Sequence, residues 1–278
     1  MIEARNLFRI ESKLRTGNKS IPVKSIEKDY VISWILIGIA KSSLYDTLCF
    51  KGGTALKKFF FPNYRFSEDL DFTLLKITSA NEIGGILEEV YSFVVDMSNI
   101  QLALKKVEEH TNTLTFFINF SGPLGADITR GEIKTDITVD EKIIFQPTDK
   151  ELLREYEEYH DIPEGVKLKV YQLEEIFMEK CLSILDKSRN EPRDVYDLWY
   201  LTSNECFEYV YLSKGIREKG TYKNITSFNI LKALAIKARN YKSLWQARLD
   251  KHVVGLPSFE KAFRDLKRHL RPLNDKLT

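Results

Sequence analysis

The order of apolar and polar residues separates the chain into a mixed first half and a helical second half. Apolar residues recur at helical spacing from 25 to 47 and again from about 82 to 97, which predicts two helices packed on a core. Elsewhere in this half, apolar and polar residues alternate, which is typical of half-buried strands. The predicted strands span 48–50, 65–75, 102–109, 112–122 and 132–141.

The second half begins after an acidic segment, 146 to about 163, which is flanked by helix-breaking residues and indicates a connector. We therefore expect an α+β chain, in which a mixed sheet with flanking helices is followed by a helical C-terminal domain. The helices predicted for that domain span 173–186, 192–204, 227–250 and 257–270.

The composition is that of a globular chain. With 278 residues, 43% of them hydrophobic, the chain can bury a substantial core, and its length suggests two domains. Cys49, Cys181 and Cys206 lie far apart in apolar stretches, which favours neither a disulfide framework nor a zinc site. The longest apolar run, 31–40, has about half of the ~20 residues that a membrane span needs. We expect a cytoplasmic protein that does not bind a membrane.

The small net charge of +2 hides an uneven distribution. The segment from Ile230 to Arg271, named here the basic tail, holds eleven Lys and Arg residues and only three acids. Such a tail favours a polyanionic partner. Tyr241 and Trp245 lie among its lysines and could stack on RNA bases, while a solvated helical face is the alternative.

Two aspartates separated by one residue, Asp69 and Asp71, are the first candidates for chemistry. Because strand side chains repeat every two residues, both carboxylates point to one face, with Cα atoms ~6.6–6.8 Å apart. Carboxylates aimed at one spot repel each other unless a cation lies between them, and hard oxygen ligands suit Mg²⁺. The pair predicts a magnesium site of the two-metal type, with a solvated strand face as the alternative.

A glycine pair precedes these aspartates in the segment KGGTALKK. Gly52 and Gly53 lie between a predicted strand and a predicted helix, where bare backbone N–H groups could bind phosphate near the positive end of the helix. Thr54 is expected to cap that helix. A tight turn without a ligand is the other interpretation of the same residues.

The strand at 132–141 offers a third carboxylate. Asp136 falls on its polar face, opposite the isoleucines, with Lys134 and Thr138 on either side. Asp136 could complete the metal site or remain a surface residue.

Lys180 is the residue that the helical pattern explains least. It falls within the apolar stripe of the helix at 173–186, where burying an unpaired ammonium costs several kcal/mol. Its partner could be the triphosphate of a nucleotide, or the pair Asp194 and Asp197, which share a helix face at spacing i, i+3. Alternatively the aliphatic stem packs while the ammonium reaches solvent, and the two acids form ordinary salt bridges or a helix cap.

Five segments together resemble the AbiEii/AbiGii family of nucleotidyltransferase-like toxins. They are KGGTALKK, RFSEDLDF, IKTDI, LEEIFMEK and RDVYDLWYL, and the resemblance covers residues 25 to 205. That family is related to the MenT toxins within the DNA polymerase β-type nucleotidyltransferase superfamily. The resemblance implies a polymerase β-like α/β domain over residues 1–160. It also implies that a helical domain over 161–278 completes the active site and carries the basic tail.

The resemblance also implies roles for individual residues. The implied metal ligands are Asp69, Asp71 and Asp136. The implied catalytic set is Asp69, Asp71, Asp136, Lys180 and Asp194, and the implied nucleotide-binding set is Gly52, Gly53, Thr54, Ser67, Lys180 and Asp197.

A toxin of a toxin–antitoxin or phage-defence system is the function that the resemblance implies. Such an enzyme would use Mg²⁺ to transfer nucleotides from an NTP to RNA, with the tRNA 3′ end as the expected acceptor and a cognate antitoxin as partner. Two alternatives remain open. The same chemistry could act on a small molecule or a protein hydroxyl, or the chain could be a catalytically silent protein that binds nucleic acid or the antitoxin.

Overall fold

A computed structural model describes residues 1–17 and 19–278 and confirms the expected α+β architecture. The chain forms two compact units. The first contains Met1–Glu141 and Pro147–Tyr171, and the second contains Lys142–Gln146 and Gln172–Thr278. The sheet belongs to the first unit, whereas the second unit is helical.

Over the described residues, seven strands of the first unit form one mixed sheet in the order β3-β4-β5-β2-β1-β7-β6. The strands are β1 (Leu48–Lys51), β2 (Leu70–Leu74), β3 (Gln101–His110), β4 (Thr113–Ser121), β5 (Gly131–Thr138), β6 (Thr148–Glu151) and β7 (Lys167–Val170). The pairs β2–β5 and β1–β7 are parallel, and the other pairs are antiparallel. Strands β5, β2 and β1 therefore lie side by side in the middle of the sheet.

Helices α1 to α4 belong to the first unit. They are α1 (Ala4–Leu14), α2 (Val23–Ala40), α3 (Gly52–Ala55), which continues into a wider helical turn at Leu56–Phe60, and α4 (Ala80–Ser98). Helix α2 contains the apolar run predicted at 31–40, and it is buried along most of its length because that run is apolar on every face. It packs against α4, which begins where the Ser79 hydroxyl accepts a hydrogen bond from the Glu82 N–H.

Helices α5 to α9 form the second unit. Helix α5 contacts α6, α7 and α8, and α9 contacts α6, α7 and α8. The helices are α5 (Leu173–Leu185), α6 (Pro192–Asn204), α7 (Tyr209–Tyr222), α8 (Ile230–Leu249) and α9 (Phe259–Leu277).

The structure departs from the sequence pattern where burial is partial or pairing is long-range. Strand β2 begins at Leu70, so the residues from Arg65 to Asp69 precede it. The prediction of a connector at 146–163 is wrong at its start, because this segment contains β6. Strand β6 is a short edge strand of polar residues that pairs with β7 through its backbone. The pattern also misses β7 and the helices α1 and α7.

Candidate active site

A row of polar side chains crosses the middle of the sheet. Asp71 on β2 is paired in register with Asp136 on β5 and with Lys51 on β1. Thr115 on β4 is paired with Asp136. Side chains of directly paired residues point to the same face of a sheet, and neighbouring strands are ~4.8 Å apart. The two carboxylates of Asp71 and Asp136 are therefore neighbours on one face.

Asp69 immediately precedes β2 and is tied to the start of α3. Its backbone carbonyl accepts a hydrogen bond from the hydroxyl of Thr54 at 2.5 Å. The expectation that Thr54 caps the helix is wrong, since α3 starts at Gly52 with Lys51 at the N-cap position. Thr54 instead fixes the backbone that carries Asp69.

The glycine pair lies directly against the carboxylate row. Gly52 has φ +80°, a conformation that other residues rarely adopt, and a Cβ at this position would lie 2.5 Å from Oδ2 of Asp71. The missing side chain therefore permits the turn from β1 into α3 and also lets the Asp71 carboxylate approach the backbone. This contact explains why the glycines and the aspartates occur together in the sequence.

Gly53 is flanked by a guanidinium and a hydroxyl. A Cβ at Gly53 would collide with Nη2 of Arg65 and would lie 3.5 Å from Oγ of Ser67. Arg65 is buried, and its Nη1 donates to the carbonyl of Phe66 at 3.3 Å. Guanidinium and hydroxyl groups are good donors to phosphate oxygens, so this part of the site suits the phosphates of a nucleotide.

Asp136 is held by two side chains. The hydroxyl of Thr115 donates to its Oδ1 at 2.7 Å, and the ammonium of Lys134 donates to its Oδ2 at 2.6 Å. Burial alone would lower the pKa of Lys134. The hydrogen bond to Asp136 and the charges of Asp136, Asp69 and Asp71 outweigh burial, so the pKa is raised. All three carboxylates of the predicted site therefore attract this ammonium.

These three carboxylates have the donor chemistry of a site for a hard divalent cation. Their combined attraction for Lys134 shows that the cluster draws positive charge. In the part of the chain that the structure describes, no three His, Cys, Asp or Glu side chains are arranged to hold a metal ion. Asp136 accepts a hydrogen bond from the ammonium of Lys134, which a metal ion at this carboxylate would meet.

In the second unit, Lys180 lies between two buried aspartates. Its Nζ is 2.7 Å from Oδ1 of Asp194 and 2.7 Å from Oδ2 of Asp197. Nε of Arg189 is a second cationic partner of Asp194, at 2.6 Å. Burial raises the pKa of Asp194, but the positive charges of Lys180 and Arg189 lower it by a larger amount. The pKa of Asp194 therefore lies below its ordinary value. Of the partners considered for Lys180, the structure shows the two aspartates.

The basic tail divides into buried and exposed residues. Tyr241 and Trp245 are each 1% exposed, so the expectation that they stack on RNA bases is wrong. Lys237 is also buried, because its ammonium donates to three backbone carbonyls in the segment 184–189, at the end of α5. The exposed basic residues of the tail are Lys232, Arg239, Lys242, Arg248, Lys251, Lys261, Arg264, Lys267, Arg268 and Arg271.

Three residues next to the predicted site were not singled out from the sequence. The sequence does contain a signal for Arg65. It lies four residues before Asp69, on the polar side of the alternating pattern at 65–75. Lys51 directly precedes the glycine pair, and its Nζ lies 5.5 Å from the ring centre of Tyr171. Thr115 has no local signal, since its position beside the site depends on the pairing of β4 with β5.

The family model of the nucleotidyl transferase AbiEii toxin, from type IV toxin–antitoxin systems, matches residues 34–268. Because this match covers most of the chain, the chain belongs to the AbiEii family. The resemblance drawn from the five motifs is confirmed.

Solved structures show the same fold. MenT4, a nucleotidyltransferase toxin from Mycobacterium tuberculosis, superposes with a TM-score of 0.67 at 13% identity, covering 99% of this chain and 90% of MenT4. JHP933 from Helicobacter pylori gives a TM-score of 0.57 at 16% identity, covering 93% of this chain and 95% of JHP933. The predicted α+β fold class, a mixed sheet with flanking helices followed by a helical region, is confirmed.

A sequence search of curated proteins finds no match. Across residues 1–17 and 19–278, every helix is too short or too polar to cross a bilayer.

Proposed function

We propose that this chain is a Mg²⁺-dependent nucleotidyltransferase toxin that transfers a nucleotide from an NTP to the 3′ end of an RNA, with tRNA as the expected acceptor. The supporting observation is the in-register pairing of Asp71 with Asp136 beside the bare backbone of Gly52. Carboxylates bind the metal ions that accompany a triphosphate, and an uncovered backbone accommodates its phosphates.

In this proposal Asp69, Asp71 and Asp136 hold the metal. When bound, Mg²⁺ would neutralise phosphate charge and make the acceptor hydroxyl more acidic. Gly52 and Gly53 would bind phosphate oxygens through their backbone N–H groups.

Three further residues would support nucleotide binding around the glycine pair. Ser67 and Arg65 flank Gly53 and would donate hydrogen bonds to phosphate oxygens. Thr54 would act through the backbone of the same turn and through its bond to the Asp69 carbonyl.

The transfer step moves one nucleotidyl group. The acceptor 3′-hydroxyl oxygen forms a bond to the α-phosphorus, and the bond from that phosphorus to the oxygen bridging the α- and β-phosphates breaks. Pyrophosphate leaves with that oxygen. We propose that Asp136 takes the hydroxyl proton, because it is a carboxylate on the same face as Asp71.

The second unit holds the remaining residues proposed to bind nucleotide. We propose that Lys180 contacts the triphosphate, and that Asp194 and Asp197 orient its ammonium by the two contacts described above.

Toxicity and its control follow from the family. MenT4 is a nucleotidyltransferase toxin by name, and the AbiEii family belongs to type IV toxin–antitoxin systems. We propose that this chain inhibits growth or phage propagation in the cytoplasm and that a cognate antitoxin neutralises it.

The direct test is transfer of label. Purified protein is incubated with each α-labelled NTP, Mg²⁺ and total RNA, and the products are separated by size. Label on RNA supports the proposal, and label on tRNA alone identifies the acceptor. Label on protein or on a small molecule shows the same chemistry on another hydroxyl. Binding of RNA or antitoxin without transfer of any label indicates a catalytically silent binding protein.

Replacing the first glycine should damage the site more than the fold. We expect Gly52→Ala to lower transfer about 100-fold, since a misplacement of about 1 Å has that effect and the new Cβ would meet Asp71. Gly125→Ala is the matched control, because Gly125 has φ +66° with nothing within 4 Å of its Cβ position. Both variants are compared by melting temperature and transfer rate. Equal transfer by the two would show that Gly52 serves only the turn.

The exposed face of α9 should bind RNA through its charge alone. Arg264, Lys267, Arg268 and Arg271 are exposed, and contacts to phosphates release counterions, so affinity should fall steeply with salt. Changing all four to Glu should weaken RNA binding and flatten its salt dependence, while NTP binding stays near the wild-type value. The measurement is RNA affinity over a salt series.

The control for this variant has the same change in net charge at scattered exposed sites of the first unit. It replaces Lys24, Lys41, Lys76 and Lys167 by Glu. If both variants lose the same affinity and slope, total charge governs binding and the α9 face is an ordinary solvated surface.

A further inference from the structure

Lys134 occupies a position at the carboxylate cluster that a metal ion would compete for. Its ammonium bonds Oδ2 of Asp136 at 2.6 Å, while Thr115 bonds the other oxygen. The charges of Asp69 and Asp71 also attract it. Lys134 thus offsets part of the mutual repulsion of the three carboxylates.

The ammonium of Lys134 opposes the binding of a divalent metal ion that is not accompanied by a nucleotide. A divalent ion that binds Asp136 must displace the ammonium or bind beside it, and like charges a few ångströms apart repel even in water. At Asp136 the ammonium of Lys134 already donates to Oδ2, the oxygen that Thr115 leaves open. This opposition is weaker when the metal ion binds together with a triphosphate, because the displaced ammonium can then pair with the phosphate oxygens.

We propose that Lys134 is a built-in counter-cation that couples metal binding to nucleotide binding at the Asp69, Asp71 and Asp136 cluster. It weakens binding of the free divalent ion and is released from Asp136 when the ion arrives with an NTP. The inference rests on the proposed metal-dependent function. By thermodynamic reciprocity, the metal must strengthen NTP binding by the same factor as NTP strengthens metal binding.

The test measures binding of Mn²⁺ alone by electron paramagnetic resonance, with and without a non-hydrolysable NTP analogue. For Lys134→Met we expect free Mn²⁺ to bind on the order of tenfold tighter than to the wild type, because one positive charge near the divalent ion is removed. The additional affinity contributed by the analogue should shrink.

Two controls separate the specific effect from a general one. Lys134→Arg keeps the charge and should bind Mn²⁺ as weakly as the wild type. Lys105→Met removes a similarly exposed lysine from the same sheet, one that is paired with Glu132, and should leave Mn²⁺ binding unchanged.

Each remaining outcome has a distinct meaning. If Mn²⁺ binds with the analogue, is lost in Asp71→Asn and is unaffected by Lys134→Met, the counter-cation role is wrong while the metal site stands. If no variant binds Mn²⁺ even with the analogue, the metal-dependent function and this inference both fail. An equal gain in affinity for Lys105→Met would also overturn the inference, since net charge would then be the cause.

Discussion

Asp71→Asn should abolish nucleotide transfer without unfolding the protein. A metal ion supplies several kcal/mol of charge stabilisation in the transition state, and each 1.36 kcal/mol is a factor of ten, so we expect a loss on the order of 10³-fold or more. Asparagine has nearly the same shape and removes one of the negative charges that repel each other across β2 and β5. The melting temperature should stay constant or rise.

The same change at an exposed acid of the first unit is the control. Asp96 lies on the exposed face of α4, and Asp96→Asn should leave both transfer and melting temperature unchanged. Asp69→Asn is measured in parallel and should behave like Asp71→Asn. Near-normal transfer by both site variants would refute the carboxylate site, whatever the fold of the sheet.

Lys180→Met should destabilise the protein strongly. Asp194 and Asp197 have side chains only 2% and 0% exposed, and removing their shared ammonium leaves buried negative charge with less compensation. Breaking a buried ion pair in this way costs about 3–5 kcal/mol of the free energy of unfolding. Lys214→Met, an exposed lysine on α7, is the matched control and should change stability little.

A second substitution separates the structural role of Lys180 from its proposed contact with nucleotide. Lys180→Met combined with Asp197→Asn removes both charges of one pair, while Asp194 keeps Arg189. We expect the double variant to regain much of the lost stability in denaturant titrations. If NTP affinity stays low in this stabilised protein, Lys180 binds the triphosphate. If affinity recovers with stability, Lys180 is structural, and an unchanged stability of Lys180→Met would refute the buried-pair argument.

The local sequence was sufficient to predict the elements that carry the candidate site. Period-two alternation located β2 and β5, and glycines between a strand and a helix located the turn at Gly52. Those signals are local because strand alternation and glycine conformations depend on neighbouring residues. The polar edge strand β6 and the helix α7 were missed because their residues are polar or only partly buried, which leaves little periodic signal.

Which residues surround the aspartates could not be predicted from the local pattern. Thr115 bonds Asp136 from 21 residues away, and that contact depends on strand register. The sequence identified Lys134 only as a residue flanking Asp136. The structure shows that Lys134 bonds Asp136 and that the charges of Asp69 and Asp71 also attract it. Trp245 appeared available for stacking because its neighbours are basic, whereas packing within the second unit buries it.

The sequence by itself therefore determined the family and the α+β order of the elements, and it pointed to the carboxylates proposed for the site. It could do so because these depend on residue type and short spacing. Only the tertiary structure decided that Asp71 and Asp136 are in-register neighbours, that Gly52 must be bare because a carboxylate lies against it, and that Lys180 is enclosed by two acids. Each of these facts depends on distances between residues far apart in the chain, and those distances are set by strand pairing and helix packing.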